Sequence, residues 1–301
     1  MNWKTAIKDF QSYLKIERAL SVNTVENYTF DIAKLVAYLE QNQIKENPIN
    51  ISKETLQGFI YTISSTIMPR SQARIISGLK HFFLYLIFED YRKDNPIELI
   101  ETPKTGRKLP DTLSVTEIDL LIHAIDLSMP EGERNRAMLE TLYACGLRVS
   151  ELVTLKLSDL YFEEDFIQVL GKGNKHRFVP ISEQTKNYLS LYISQIRNKI
   201  HIQKGFEDIL FLNRRGKQLT RAMVFTIIKQ LAVSINLQKN ISPHTFRHSF
   251  ATHLLENGAD LRSIQLMLGH ESITTTEIYV HLDRSHLAKT LLEFHPRKQT
   301  L

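Results

Sequence analysis

Six side chains in this sequence have the types needed to move a phosphodiester bond without a metal: Arg148, Lys172, His244, Arg247, His270 and Tyr279. Arg148 lies in CGLRVSELVTL, residues 145–155, where Gly146 ends one helix and Val149, Leu152 and Leu155 begin the apolar stripe of the next. Taken alone it reads as a structural arginine bridged to Glu151. His244 and Arg247 fall in SPHTFRHSFATHLLENG, residues 242–258, a helix with Ser242 as N-cap, Pro243 as first helical residue and Gly258 as stop. Residues three apart sit side by side on a helix. The macrodipole disfavours a cation in the first turn by about 0.3–1 kcal/mol, so stability alone would place an acid there. A helix start lined by Arg and His instead suits a phosphate. The plainer alternative is an arginine paired to a core carboxylate and a histidine capping a backbone group. His244 and His248 have the spacing of a zinc helix, but Thr245 stands where the general-base glutamate of HExxH belongs, which argues against a zinc hydrolase.

GKGNKHR, residues 171–177, places Lys172, Lys175 and Arg177 at the tip of a hairpin. It is neither a P-loop nor a dinucleotide fingerprint. A basic β-turn fits a DNA groove, and it also fits an ordinary solvated turn. LGHESITTTEIYVH, residues 268–281, carries His270 and Tyr279. Tyr279 is one of eleven tyrosines, and a phenol with a pKa near 10 is a poor nucleophile unless cations stabilise the phenolate. Combined, the six residues supply what metal-free transfer requires. Two arginines neutralise the transition state, a lysine protonates the departing 5′ oxygen, and a tyrosine attacks.

The elements that must position these groups follow from periodicity. Trp3, Ile7, Phe10 and Leu14 share one helical face. A second helix opens at a capping box of Asn23 and Glu26 and runs through Val25, Tyr28, Ile32, Leu35 and Leu39. A third follows Ser52, and a fourth runs from about Arg70 to Asp90 through Ile75, Leu79, Phe82, Phe83 and Leu86. Residues 1–95 therefore read as a four-helix domain. Residues 96–112 form a linker in which Pro96, Pro103 and Pro110 accompany Lys104, Arg107 and Lys108, as a plain spacer or as a strap along a phosphate backbone. Residues 113–301 read as a second, α-rich domain with a small antiparallel sheet. A capping box at Ser114 and Glu117 starts a helix to about Asp126, and another helix runs from about Glu131 to Ala144. FIQVL and KHRFVPI form a hairpin over residues 166–181, ILFLN at 209–213 is a candidate edge strand, and helices occupy about 183–200, 220–236, 243–256, 260–268 and 283–293. The fold class is mainly α.

Composition narrows the surroundings. The 301 residues are 43% hydrophobic and 24% charged, and the longest apolar run, Phe82 to Phe88, is too short for a membrane span. No export signal is evident at the N-terminus. The single cysteine, Cys145, in an apolar context, fits a reducing cytoplasm and a packing role. A balance of 38 Lys+Arg against 33 Asp+Glu is modestly basic, so a DNA surface has to consist of local patches. No cofactor and no metal are expected.

ACGLRVSELVTL, GKGNKHRFVP, SPHTFRHSFATHLLENGADLRSIQLMLGH and TTTEIYVH together resemble the signature boxes of the tyrosine site-specific recombinases of the bacterial Xer type, in matching order. The resemblance runs over the whole chain to the terminal FHPRK. It implies a core-binding domain and a catalytic domain that clamp duplex DNA, and Tyr279 as the nucleophile of a 3′-phosphotyrosyl intermediate. It also implies Arg148 and Arg247 on the scissile phosphate, Lys172 as general acid, and His244 and His270 as phosphate-orienting or proton-exchanging groups. The implied partners are a recombination site in double-stranded DNA, a tetrameric synapse with a XerC-like recombinase and an FtsK-type DNA translocase, all in the cytoplasm with no membrane. The implied role is resolution of chromosome dimers at cell division. The segment after Ser285, with Leu287, Leu291, Leu292 and Phe294, is expected to pack in trans on a neighbouring subunit, as in that family. The sequence departs from the common pattern at His176, Glu271 and Glu277. A phage or transposon integrase shares the six residues but often carries an additional arm-binding domain. A non-catalytic architectural DNA-binding protein would have no use for Tyr279 with both arginines.

Overall fold

The computed structural model describes residues 1–103, 111–171, 175–269 and 282–297. The chain divides into two compact units, Met1–Lys108 and Leu109–Leu301. The first contains α1 (Trp3–Ile16), α2 (Val22–Gln41), α3 (Lys53–Ser64) and α4 (Pro69–Phe88). Ser21, not Asn23, caps α2. It lies in extended backbone one residue before the helix, where its side chain accepts from the Thr24 N–H, and Asn23 is already inside the first turn. Ile75, Leu79, Phe82, Phe83 and Leu86 of α4 are fully buried against Phe10, Ile32, Leu35 and Phe59. Ile97, after α4, belongs to the same core.

The contact between α2 and α4 is held by a buried charge. Asp31 is fully buried, and Arg74 Nη1 donates to its Oδ2 at 2.6 Å. Gly78, one turn beyond Arg74, leaves the space that the carboxylate occupies, since a Cβ there would lie 2.9 Å from Asp31 Oδ2. A Gly→Ala change inside a helix ordinarily stabilises by about 1 kcal/mol. Gly78→Ala is expected to destabilise the full-length protein by about 1–3 kcal/mol, because the Arg74 pair fixes the oxygen that the methyl would displace. A thermal midpoint at or above that of wild type would contradict this.

The second unit builds a mixed core. Its helices are α5 (Val115–His123), α6 (Gly132–Ala144), α7 (Val149–Thr154), α8 (Glu183–Leu191), α9 (Arg221–Ser234), α10 (Pro243–Glu256), α11 (Leu261–Leu268) and α12 (Leu282–Phe294). Ser114 and Glu117 form the expected capping box of α5. The sheet has the order β1 (Leu160–Tyr161), β2 (Phe166–Leu170), β3 (His176–Pro180), all antiparallel, with Val169 opposite Arg177.

Two expectations are corrected. Residues 209–213 form no ladder strand, only isolated bridges from Ile209 to Lys156 and from Leu212 to Gln218. Side chains satisfy much of that backbone instead. The Tyr192 hydroxyl donates to Leu210 O and accepts from Leu212 N–H, both at 3.2 Å, and Arg197 donates to the carbonyls of Glu207, Ile209 and Leu210. These same anchors end the helix expected over 183–200. After Leu191 it widens to a π turn at Tyr192–Ile196 and tightens to a 3₁₀ turn at Arg197–Lys199.

The C-terminal segment packs on the second unit of its own chain. Leu287 and Leu291 of α12 enter the core of their own chain beside Phe250 and Leu254, with Phe294 packed on its edge. Arg297 donates through Nε to Glu140 Oε1 at 2.5 Å and pairs through Nη1 with Asp119 at 2.6 Å. Helical spacing shows that an apolar face exists and does not tell whose core it enters. The basic cluster Lys104, Arg107 and Lys108 of the linker lies outside the described residues. No helix among the described residues is long and apolar enough to cross a membrane.

Candidate active site

Gly146 sets the site up. It ends α6 with φ +56°, and a Cβ there would lie 2.4 Å from Phe250 Cδ1, so the turn closes directly on α10. The turn delivers Arg148 to the N-cap position of α7. From there its backbone N–H donates to Glu151 Oε2 at 2.8 Å and its Nη1 to Glu151 Oε1 at 2.7 Å. The bland reading of Arg148 as a partner of Glu151 is therefore accurate as geometry, yet Arg148 is not alone on that carboxylate.

Arg247 reaches the same place from α10. It is 8% exposed, donates through Nη1 to Gly146 O at 2.8 Å and through Nη2 to Leu268 O at 2.5 Å, and lies 3.8 Å from Glu151 Oε2. Arg177 of β3 closes the group with a two-pronged bond, Nη1 to Oε1 at 2.8 Å and Nη2 to Oε2 at 2.9 Å. Glu151 is 4% exposed and gathers all three guanidinium groups. Burial works to raise its carboxyl, but bonds and charge from Arg177 and Arg148 outweigh that and hold it below the usual range. Arg247 is pushed down to about 10, first by burial and then by the charge of Arg148, against the pull of Glu151.

The same three arginines grip the end of α11. The carbonyls of Met267, Leu268 and Gly269 accept from Arg177, Arg247 and Arg148 respectively, the last at a long 3.4 Å. Terminal helix carbonyls lack intrahelical donors and carry the negative end of the dipole, so cations belong there. Any unfavourable effect at the start of α10 is offset for Arg247 by the C-terminal end of α11. Gly269 takes the left-handed conformation, φ +65°, and the chain continues to His270.

Of the candidate residues, the structure brings Arg148 and Arg247 together, and it places His244 exposed on the first turn of α10 with His248 half-buried beyond it. Lys172, His270 and Tyr279 lie outside the described residues, as do Glu271 and Glu277. The segments leading to them are clear. Gly171 N–H donates to Lys175 O at 2.8 Å, closing the hairpin from which Lys172 follows, and Gly269 precedes His270. Arg177 departs from its expected place at a groove-entering tip, since its side chain is 13% exposed and faces inward. The signal was available: Arg177 is two residues before buried Val179, on the same face of the strand. Cys145 is fully buried, and burial pushes its thiol up, as a packing role implies.

An α-rich unit that closes paired arginines on one carboxylate, preceded by a separate four-helix unit, has the frame of a DNA strand-transfer enzyme. Residues 111–286 match the model of the phage integrase family, and residues 7–90 match the phage integrase N-terminal SAM-like domain. The chain is 44% identical to the tyrosine recombinase XerD of Oceanobacillus iheyensis, covering 97% of this chain and 98% of that one. It is 42% identical to the tyrosine recombinase XerD of Listeria innocua over the same shares. Its fold resembles that of the XerH site-specific recombinase bound to a palindromic difH substrate in a post-cleavage complex. That similarity has a TM-score of 0.69 at 24% identity and covers 94% of this chain and 83% of the other. The chain belongs to the phage integrase family and is a tyrosine recombinase.

Proposed function

We propose that this chain is a site-specific recombinase that cuts and rejoins duplex DNA at a recombination site, resolving chromosome dimers at cell division. The observation that carries the reading is the convergence of Arg148 and Arg247 on Glu151, which presents two guanidinium groups at one point as a scissile phosphate requires. The extent of likeness to the XerD proteins supports the cellular role. In this reading Tyr279 Oη attacks the phosphorus, the bond to the 5′ oxygen breaks, and Lys172 protonates that oxygen, leaving a 3′-phosphotyrosyl link and a free 5′-hydroxyl. His244 and His270 orient the phosphate and exchange protons with it. The link conserves the energy of the broken bond, so the hydroxyl of another strand reverses the step without ATP or a metal. Residues 1–95 form the helical core-binding domain, residues 96–112 the linker and residues 113–301 the catalytic domain. The assembly is a cytoplasmic tetramer with a XerC-like partner, regulated by an FtsK-type translocase.

A nicked suicide duplex tests the reading. Wild-type protein is expected to form a covalent adduct that survives denaturation, and Tyr279→Phe is expected to form none. An adduct that persists in Tyr279→Phe would sink the assignment.

A further inference from the structure

Arg177 occupies a position that the catalytic reading does not use. Its Nε donates to Met267 O at 2.8 Å, and both terminal nitrogens bond to Glu151. Gly269 leaves room for the side chain, and Gly171 lies at ordinary van der Waals distance from it. A Cβ on Gly269 would meet Arg177 Cδ at 3.0 Å and Nε at 3.2 Å, and a Cβ on Gly171 would meet its Nη1 at 3.4 Å. Gly171 is the residue before Lys172, and Gly269 is the residue before His270. One inward-facing guanidinium thus touches the acid that holds Arg148 and lies against both chain segments that deliver the other reacting groups. Its Nε and both terminal nitrogens already bond to protein acceptors.

We propose that Arg177 is a positioning residue, registering Gly171 and Gly269, the residues before Lys172 and His270, against the phosphate-binding arginines. The inference rests on the recombinase reading above. A planar fork is suited to the task because it fixes direction as well as distance, whereas lysine supplies a point charge.

The test is single-turnover cleavage by full-length protein of two nicked duplexes that differ only at the scissile bond. One is an ordinary phosphodiester, and the other a bridging 5′-phosphorothiolate whose sulfur leaves without an acid. Arg177→Met is expected to slow the ordinary substrate about 100-fold, the cost of misplacing a reacting group by about 1 Å. DNA affinity is expected to change less than about threefold, since Arg177 is not assigned a phosphate contact. The phosphorothiolate is expected to recover at least about tenfold of the loss, because a misplaced general acid is then no longer needed. Arg177→Lys is expected to show the same pattern with a smaller loss, and it carries the test if the methionine variant melts below the assay temperature. Cleavage at the wild-type rate, equal losses on both substrates, or a parallel fall in DNA affinity would each overturn the proposal. Wild-type protein that forms no adduct on either duplex would overturn the recombinase reading itself, a result distinct from all of these.

Discussion

Glu151→Gln is expected to keep or strengthen DNA binding while cleavage falls by at least about 100-fold, a split that follows from where the carboxylate sits. Glu151 is not itself assigned a contact with DNA, yet it is the common acceptor of Arg148, Arg177 and Arg247. Removing its charge leaves three guanidinium groups in one pocket with one fewer anion. The net positive field toward a phosphate rises, so affinity for duplex DNA at fixed salt does not drop. Geometry suffers instead. A neutral amide cannot accept from all the donors that the carboxylate now receives, and the arginines that must meet the equatorial oxygens lose their fixed directions. Glu151→Ala is expected to cost about 3–5 kcal/mol of stability as well, the cost of stripping a buried charge set of its partner. Titration adds a further check. The folded pKa of Glu151 is depressed, so its stabilisation is complete above the ordinary value of 4.5 and is lost as pH falls through the folded value. Thermal melts of wild type between pH 5 and pH 3 are expected to show a larger loss than those of Glu151→Gln. Parallel loss of binding and cleavage in the glutamine variant would show that Glu151 only holds the fold.

How far the sequence carried is clearest from individual elements. The helices of the first unit are legible because Phe10, Leu35, Phe59 and Leu79 recur on faces with a period of 3.6 and are all fully buried or nearly so. The hairpin at 166–181 is legible from alternation and β-branched residues. The segment 209–213 misleads because an apolar run looks the same in a strand and in a buried loop. What separates them is whether distant side chains such as Tyr192 and Arg197 bond its backbone, which no local pattern records. Strand β1 has two residues and leaves no period to read.

The site divides in a similar way. Arg148 and Arg247 stood out because each is a cation near a helix start, an apparent local cost that needed a reason. The reason lies in α11 and in Glu151, elements remote from Arg247 in sequence and close in space. A basic residue in a Gly-rich turn ordinarily faces solvent, and the inward direction of Arg177 shows only in its alternation with buried Val179 two residues on.

Arg297→Ala is expected to destabilise the isolated protein by about 3–5 kcal/mol, a large effect for a residue four positions before Leu301. Glu140 is fully buried, burial raises its carboxyl, and Arg297 opposes that rise by charge and hydrogen bond. Without the guanidinium, Glu140 must remain charged and unpaired or take up a proton. The loss is therefore expected to shrink in Glu140→Gln/Arg297→Ala, and a double-mutant cycle on melting free energies measures the coupling. Losses that simply add would show that the pair contributes nothing beyond packing. The neighbouring His295 gives the seated tail an acid sensitivity of its own. Its imidazole is 1% exposed, rests against the rings of Tyr143 and Phe250, and is pushed down to about 3 by burial, then by the charge of Arg297. With the folded value below the ordinary 6.5, the unfolded chain binds a proton in that interval that the folded chain excludes. Stability contributed by neutral His295 is thus complete above pH 6.5 and is lost as pH falls toward 3, by up to about 1.4 kcal/mol per unit. His295→Gln is expected to flatten that part of the profile. An unchanged slope between pH 7 and pH 5 would mean that the imidazole is not held neutral in the seated tail.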